Sequence, residues 1–423
     1  MENTLLLFLS LATITSMAQP TYPAPKGVYC SCPPTTSTVG PGSVDPTVAS
    51  KPFVKGILVR IGWKDIEPTD NIYNWALLDN QITAAKSYGK KISLAIGGGP
   101  NSPNWLYSLG TQSLSFTVPF SATIAVQWNS TFLNKWTEFV RALGNKYKND
   151  TTIRLVYITN STANGFEMQL PFNPTPSYTS LAYTDQKVIN SWKQVIDTFK
   201  VAFPNHYLTN DFHPVNSSNV PADSIYAYAK IKLGSRYGAN AWWWTQNNTT
   251  YYSAQNSIML NSAANNNFTG VQMAYSGVND SAQFGAGGMP AALQLAISDG
   301  ICYWEIWNQD IVSAKFTSLL TNSTTCSSIT GINETIENDQ NGILVFPNPA
   351  SNKLEVVLNT KINERLEVKM FDDLGNLVLH QNALNNLETI SFDISKLAEG
   401  FYFINIVADS KRNYYRKFVI TRR

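Results

Sequence analysis

The sequence predicts an α/β chain: a closed (β/α)8 TIM barrel followed by a small all-β immunoglobulin-like sandwich. Three observations carry this prediction. The 423 residues suit a barrel of roughly 250–300 residues plus a module of about 80–100. Residues 26–320 alternate strand-like apolar runs with segments of helical period. Beyond residue 341 the pattern changes to short period-2 runs separated by turn signals.

The expected barrel strands are 27–32, 57–63, 92–96, 153–158, 206–210, 240–244, 270–275 and 300–307. Helical patterns between them are clearest at 75–88, 128–147, 184–203 and 290–298. Eight such units close into a parallel barrel, which makes the first strand a neighbour of the eighth. In the tail, alternating strands at 354–358, 366–371, 390–394, 401–407 and 415–420 predict an antiparallel sandwich.

The start of the chain reads as an export signal over residues 1–18. Residues 5–12 are apolar, and Ser16-Met17-Ala18 places small residues before a cleavage point at Gln19. No Lys or Arg precedes the apolar run, so only the terminal amine is positive there. No later segment is long and apolar enough for a membrane span, so none is expected once the signal is removed. The domain reading is therefore barrel 19–325, Ser/Thr/Asn-rich linker 326–341 and C-terminal domain 342–423.

Composition narrows the function. With 31 basic and 29 acidic residues the chain lacks the basic excess that a nucleic-acid surface needs. Its 11 Trp, 20 Tyr and 20 Phe suit a protein that stacks rings against apolar faces of a ligand, as sugar binders do. No glycine-rich nucleotide fingerprint follows any strand, because Gly97-Gly98-Gly99-Pro100 leads into no helix. No Cys/His pair follows Cys30-Ser31-Cys32 at zinc-like spacing. Neither a metal nor a cofactor is expected. The four cysteines allow three pairings. Cys30 and Cys32 would point the same way on a strand, so a bond from one of them to Cys302 on the eighth strand is the expectation.

Two stretches resemble known families. Val345-Phe346-Pro347-Asn348-Pro349-Ala350, Phe371-Asp372-Asp373-Leu374-Gly375, Leu397-Ala398-Glu399-Gly400-Phe401-Tyr402 and Lys417-Phe418-Val419-Ile420 occur in that order. They resemble the C-terminal sorting domain of the Bacteroidetes type IX secretion system. That resemblance implies the type IX machinery as partner and a secreted or outer-surface location reached through the periplasm. The second stretch is Val59-Arg60-Ile61-Gly62-Trp63-Lys64-Asp65-Ile66-Glu67-Pro68, followed by Tyr73-Asn74-Trp75 and Ser102-Pro103-Asn104-Trp105. It resembles the strand-two region of (β/α)8 glycoside hydrolases of the large retaining clan, including β-galactosidase-like members. It implies a carbohydrate substrate and places Arg60 near the reacting carboxylates.

Glycoside hydrolysis usually takes two carboxyl groups, a proton donor and a nucleophile or base. The resembled clan puts the donor after an Asn ending strand four and the nucleophile at the end of strand seven. Here Ser161 follows Asn160, and strand seven offers Gln272 and Tyr275. The carboxylates nearest the expected mouth are Glu167, in the loop after strand four, and Glu305, between Tyr303 and Trp307 on strand eight. Those two are the expected catalytic pair, in either order. Expected substrate contacts are Arg60, Trp63, Asn160, Asp211, His213, Trp243, Trp244, Tyr275 and Trp307, while Glu67 reads as structural. Two functions fit: cleavage of glycosidic bonds in oligo- or polysaccharides, or glycan binding without turnover on a barrel that has lost its standard acids.

Overall fold

The computed structural model describes residues 22–32, 44–264, 268–323, 343–346, 350–358, 365–372, 376–384, 389–408 and 412–422. The expected export signal, the linker 326–341 and Cys326 lie outside these residues. The chain divides into two compact units, Met1–Gly331 and Ile332–Arg423.

The first unit is a closed, all-parallel barrel of eight strands. They are β1 (Gly27–Ser31), β2 (Val54–Gly62), β3 (Lys91–Gly97), β4 (Ile153–Tyr157), β5 (Tyr207–Asp211), β6 (Tyr237–Trp244), β7 (Gly270–Met273) and β8 (Tyr303–Trp307). Each strand pairs with the next in sequence, and β1 closes on β8 from Gly27↔Tyr303 to Ser31↔Trp307. Alternation along each strand divides the apolar residues into two cores. Inward side chains such as Tyr29, Leu58, Leu155, Tyr157, Trp242 and Tyr303 fill the barrel. Outward ones such as Val59, Ile96, Trp304 and Ile306 pack beneath the helices. The amphipathic helices Ser130–Tyr147 and Asp185–Ala202 are started by side-chain caps, Asn129 accepting from the Phe132 N–H and Thr184 from the Lys187 N–H.

An addition interrupts the βα order. Between β3 and helix Ser130–Tyr147 the chain forms a hairpin, Ser113–Phe116 with Ala122–Ala125, whose turn reaches the mouth of the barrel. The second unit carries two antiparallel sheets. One orders Ile343–Phe346, Lys353–Leu358 and Thr389–Asp393; the other orders Leu377–Leu384, Arg365–Asp372, Gly400–Ala408 and Arg412–Ile420. Alternate residues including Leu354, Val356, Val368, Ile390, Ile404 and Phe418 make its core. Among the described residues no helix is long and apolar enough to cross a membrane.

The disulfide expectation is corrected. Cys30 bonds to Cys32, with Cα atoms 5.2 Å apart. Two residues of extended strand would span about 6.6 Å; β1 ends at Ser31, and the chain contracts there enough for the bridge. Cys302 is also disulfide-bonded, but not to either of these.

Candidate active site

The carboxyl ends of the strands surround a cleft of about 660 Å³, whose walls include Arg60, Asn101, Phe166, Glu167, Trp242 and Trp307. Gln272 from β7 and the hairpin turn from Phe120 to Thr123 complete it. Its position follows from the fold, because loops after the strands gather at this end of a parallel barrel.

Glu305 sits inside the barrel with no solvent exposure. Strand alternation turns it inward with Tyr303, as the sequence indicates. Its Oε1 accepts hydrogen bonds from the Tyr157 hydroxyl at 2.6 Å and the Tyr303 hydroxyl at 2.5 Å. Tyr157 Oη in turn accepts from Asn240 Nδ2 at 2.7 Å and Trp242 Nε1 at 3.2 Å. Burial pushes the Glu305 carboxyl up to about 7, although the two phenols and the Arg60 charge work against that rise. Arg60 does not pair directly with Glu305. Its guanidinium donates to Ser31 Oγ at 3.3 Å and the Cys32 carbonyl at 3.5 Å. It also lies 5.7 Å from the Trp242 ring centroid and 5.9 Å from that of Trp307.

Glu167 reaches the cleft from the loop after β4. The glycine run after β3 lets this loop come close: a Cβ on Gly98 would stand 2.9 Å from the Asn160 carbonyl oxygen, and one on Gly99 would overlap that of Thr162. Within the loop, Asn164 Oδ1 accepts from the N–H groups of Phe166 and Glu167 at 3.0 and 2.9 Å. The carboxylate meets His213 Nε2 at 3.3 Å, and His213 Nε2 stands 3.0 Å from Asp211 Oδ2. Asp211 is buried, and its Oδ1 accepts from the Trp242 N–H at 2.6 Å.

These three groups set one another's charge. Burial works against a charged His213, yet Asp211 and Glu167 outweigh it and raise the imidazole to about 10. Burial would raise Glu167, but His213, Asn164 and Arg60 together hold it below the ordinary range. Burial raises Asp211. The donor atoms of Glu167, Asp211 and His213 lie within 4.8 Å of one another, the spacing of a small cation site. A proton on His213 serves the two carboxylates in that space.

Several expected contacts sit elsewhere. Trp63 is fully buried behind the barrel among Trp105, Trp136 and Phe139, its Nε1 donating to Glu67 at 2.6 Å. It cannot touch a ligand, because the chain turns helical at Trp63 and swings the indole outward. Glu67 is buried and also accepts from the Asn71 N–H at 2.8 Å. Asn160 is buried, donating to Ser191 Oγ at 3.0 Å on the following helix. Trp243 and Trp244 also face away, donating to the carbonyls of Phe212 and Ala292. The register between β6 and β7 shifts between Ala241 and Trp244, which breaks the alternation that would bring Trp244 inward. Trp242 is the member of the triplet that lines the cleft. Tyr275 is 38% exposed and packs on Phe284. Tyr157, Trp242, Phe166 and Gln272 are not among the expected site residues, and alternation counted back from the expected strand ends picks out neither Tyr157 nor, across the register shift, Trp242 alone.

Two stretches of the chain match known family models. Residues 344–421 match the model of the secretion system C-terminal sorting domain, and residues 56–171 match that of the β-galactosidase family. No curated protein sequence matches the chain. Among solved structures, a glycoside hydrolase is 8% identical over 67% of this chain and 88% of its own, with a TM-score of 0.45. Xylanase XynB from Paenibacillus barcinonensis is 13% identical over 60% of this chain and 77% of its own, at 0.36. A DUF3244 family protein from Bacteroides vulgatus with an immunoglobulin-like β-sandwich is 16% identical over 19% of this chain and 86% of its own, at 0.17. The chain thus joins a barrel that resembles glycoside hydrolases to a type IX sorting domain, which directs secretion to the outer cell surface.

Proposed function

We propose that the protein hydrolyses glycosidic bonds of oligo- or polysaccharides at the barrel mouth, with Glu167 and Glu305 as its two carboxyl groups. One observation carries the reading. Arg60 lies in the field of both carboxyls, and their environments push them apart, Glu167 down and Glu305 up to about 7. Two carboxyls separated in this way divide into an ionised and a protonated partner near neutral pH. Glu167, anionic and at the cleft wall, is the nucleophile or base; Glu305 holds the proton behind Tyr157. Arg60, Trp242 and Trp307 form the sugar platform. The barrel domain is residues 19–325, joined through the linker 326–341 to the sorting domain 342–423, with residues 1–18 removed on export.

A second reading, glycan binding without turnover, is favoured by the enclosure of Glu305 and by Gln272 standing where the resembled clan has an acid. A hydrolysis and binding panel of neutral and acidic glycans, run beside Glu167→Gln and Glu305→Gln, separates the two. Loss of about 10²–10⁴-fold in turnover with either variant supports the pair. Turnover that survives both changes removes these residues from the chemistry. Binding without product selects the second reading.

A further inference from the structure

A second cavity, of about 390 Å³, is linked to the first by side-chain contacts: its lining residues Gln169 and His213 each meet Glu167 of the first cleft at 3.3 Å. Three strand-end segments build it: Gln169 to Phe172 after β4, His213 to Asn219 after β5, and Tyr251 to Gln255 after β6. Both volumes fall in the range of about 300–1,000 Å³ typical of ligand sites.

Its lining has a definite chemistry. Tyr251 is 78% exposed and Phe172 69% exposed, two large rings that line the cavity and stay open to solvent, although Tyr251 meets the Tyr252 ring edge-on at 4.8 Å. Besides His213, the polar lining is of amides and hydroxyls, among them Gln169, Asn216, Ser217 and Asn219. Asn216 and Ser217 are both left-handed, with φ of 47° and 63°, across a turn closed by the Val215–Ser218 bridge. Asn219 is fixed by the buried Gln255, whose Nε2 donates to its Oδ1 at 2.8 Å. No Lys, Arg, Asp or Glu lines the cavity, and the single positive charge of His213 faces two carboxylates, Asp211 and Glu167, behind it.

We propose that this cavity is a binding subsite for neutral sugar units, so that a glycan chain lies across Glu167 with one end between Phe172 and Tyr251 and the other against Trp242 and Trp307. The proposal deepens the glycan reading above and rests on it. Rings supply stacking faces, the amides and hydroxyls pair with sugar hydroxyls, and a lining without Lys or Arg, with two carboxylates behind its one histidine, selects against uronate or sulfate groups. A cleft occupied on both sides of Glu167 takes the interior of a neutral chain rather than a single terminal sugar.

Calorimetric titration of the full chain tests this with neutral gluco-, manno-, xylo- and galacto-oligosaccharides of two and six units, and with oligogalacturonate. The variants are Phe172→Ala, Tyr251→Ala and their double; both side chains are exposed, so folding is not at stake. The double variant is expected to lose about tenfold in hexasaccharide affinity while its disaccharide affinity stays put. Equal loss at both lengths, or no loss, overturns the second subsite and leaves the glycan reading standing. Tighter binding of oligogalacturonate than of every neutral chain overturns the neutral assignment. Failure of the wild-type chain to bind any of these glycans overturns both the subsite and the reading on which it rests.

Discussion

Tyr157 on β4 donates a hydrogen bond across the barrel to Glu305 on β8 at 2.6 Å, joining two positions 148 residues apart. The bond stabilises the carboxylate form of an acid that burial otherwise drives toward its neutral form. The same phenol receives Trp242 Nε1, so the buried acid and the cleft wall share one hydrogen-bonded atom. Removing it with Tyr157→Phe leaves a buried carboxyl short of a donor. A loss of about 1–3 kcal/mol in urea unfolding at pH 8 is expected, and a shrinking loss at pH 5, where Glu305 is protonated. A pH-independent loss would show that the phenol serves packing alone.

Glu305 itself gives stability a slope with pH. Its folded-state pKa of about 7 lies above the ordinary 4.5, so the native state holds a proton that the unfolded chain releases between those values. Stability from this group is greatest below pH 4.5 and declines as pH rises to 7, by about 3 kcal/mol in all. Glu305→Gln mimics the protonated form. It should match the wild type near pH 4.5 and exceed it by up to that amount above pH 7. Parallel denaturation curves for the two proteins across the range would refute the raised pKa.

His213 gives a slope of the same sign in a higher pH window. With its folded pKa raised from 6.5 to about 10, it contributes fully below pH 6.5 and loses that contribution as pH climbs toward 10. His213→Ala strands two carboxylates in the gap and should cost about 3–5 kcal/mol at pH 7. His213→Lys, which keeps a cation on a longer stem, should recover part of that loss. Proton resonances of the His213 ring titrating between 6 and 7 would contradict the geometry of a histidine held by two acids.

The barrel was legible because each inward and outward run needs apolar residues, so eight of them mark eight strands. The inward turn of Tyr303 and Glu305 followed from period-2 spacing on β8 alone. Trp242, Trp243 and Trp244 defeated the same logic, since a register shift against β7 depends on pairing that no single segment encodes. Trp63 misled for a related reason: it ends a strand in sequence but begins a helical turn in space. The meeting of Glu167, His213 and Asp211 required knowing which loops touch. The Gly97-Gly98-Gly99 run signalled a close approach, though not that its partner would be the loop bearing Glu167.

That close approach makes Gly99, next to the cleft residues Pro100 and Asn101, a sensitive point. It has a φ of +54°, and a methyl group there would overlap the Thr162 carbonyl oxygen. Gly99→Ala should therefore cost about 1–3 kcal/mol of strain or shift the loop that carries Glu167. Gly89→Ala is the control, since its φ is +65° with open space around it. Both variants share the backbone penalty. A greater fall in glycan turnover or affinity for Gly99→Ala than for Gly89→Ala reads loop displacement, and equal effects would reduce Gly99 to a conformational requirement.

The tryptophans offer a separable pair. Trp244 is fully buried against helix Gly288–Ser298, whereas Trp307 is partly exposed and lies under Arg60 in the cleft. Trp244→Ala should cost about 3–5 kcal/mol in unfolding free energy, as a large side chain removed from a packed core does. Its folded fraction should bind glycan unchanged. Trp307→Ala removes a ring that Arg60 covers and that a sugar would meet, so about tenfold in affinity should go. Its Nε1 also donates to the Met273 carbonyl at 2.7 Å. Trp307→Phe, which keeps the stacking face but not that donor, separates the two contributions: retained affinity with lowered stability assigns the ring to the ligand and the N–H to the β7–β8 seam. Unfolding and titration on the same samples read both quantities, and an unchanged affinity in Trp307→Ala would take this residue out of the platform.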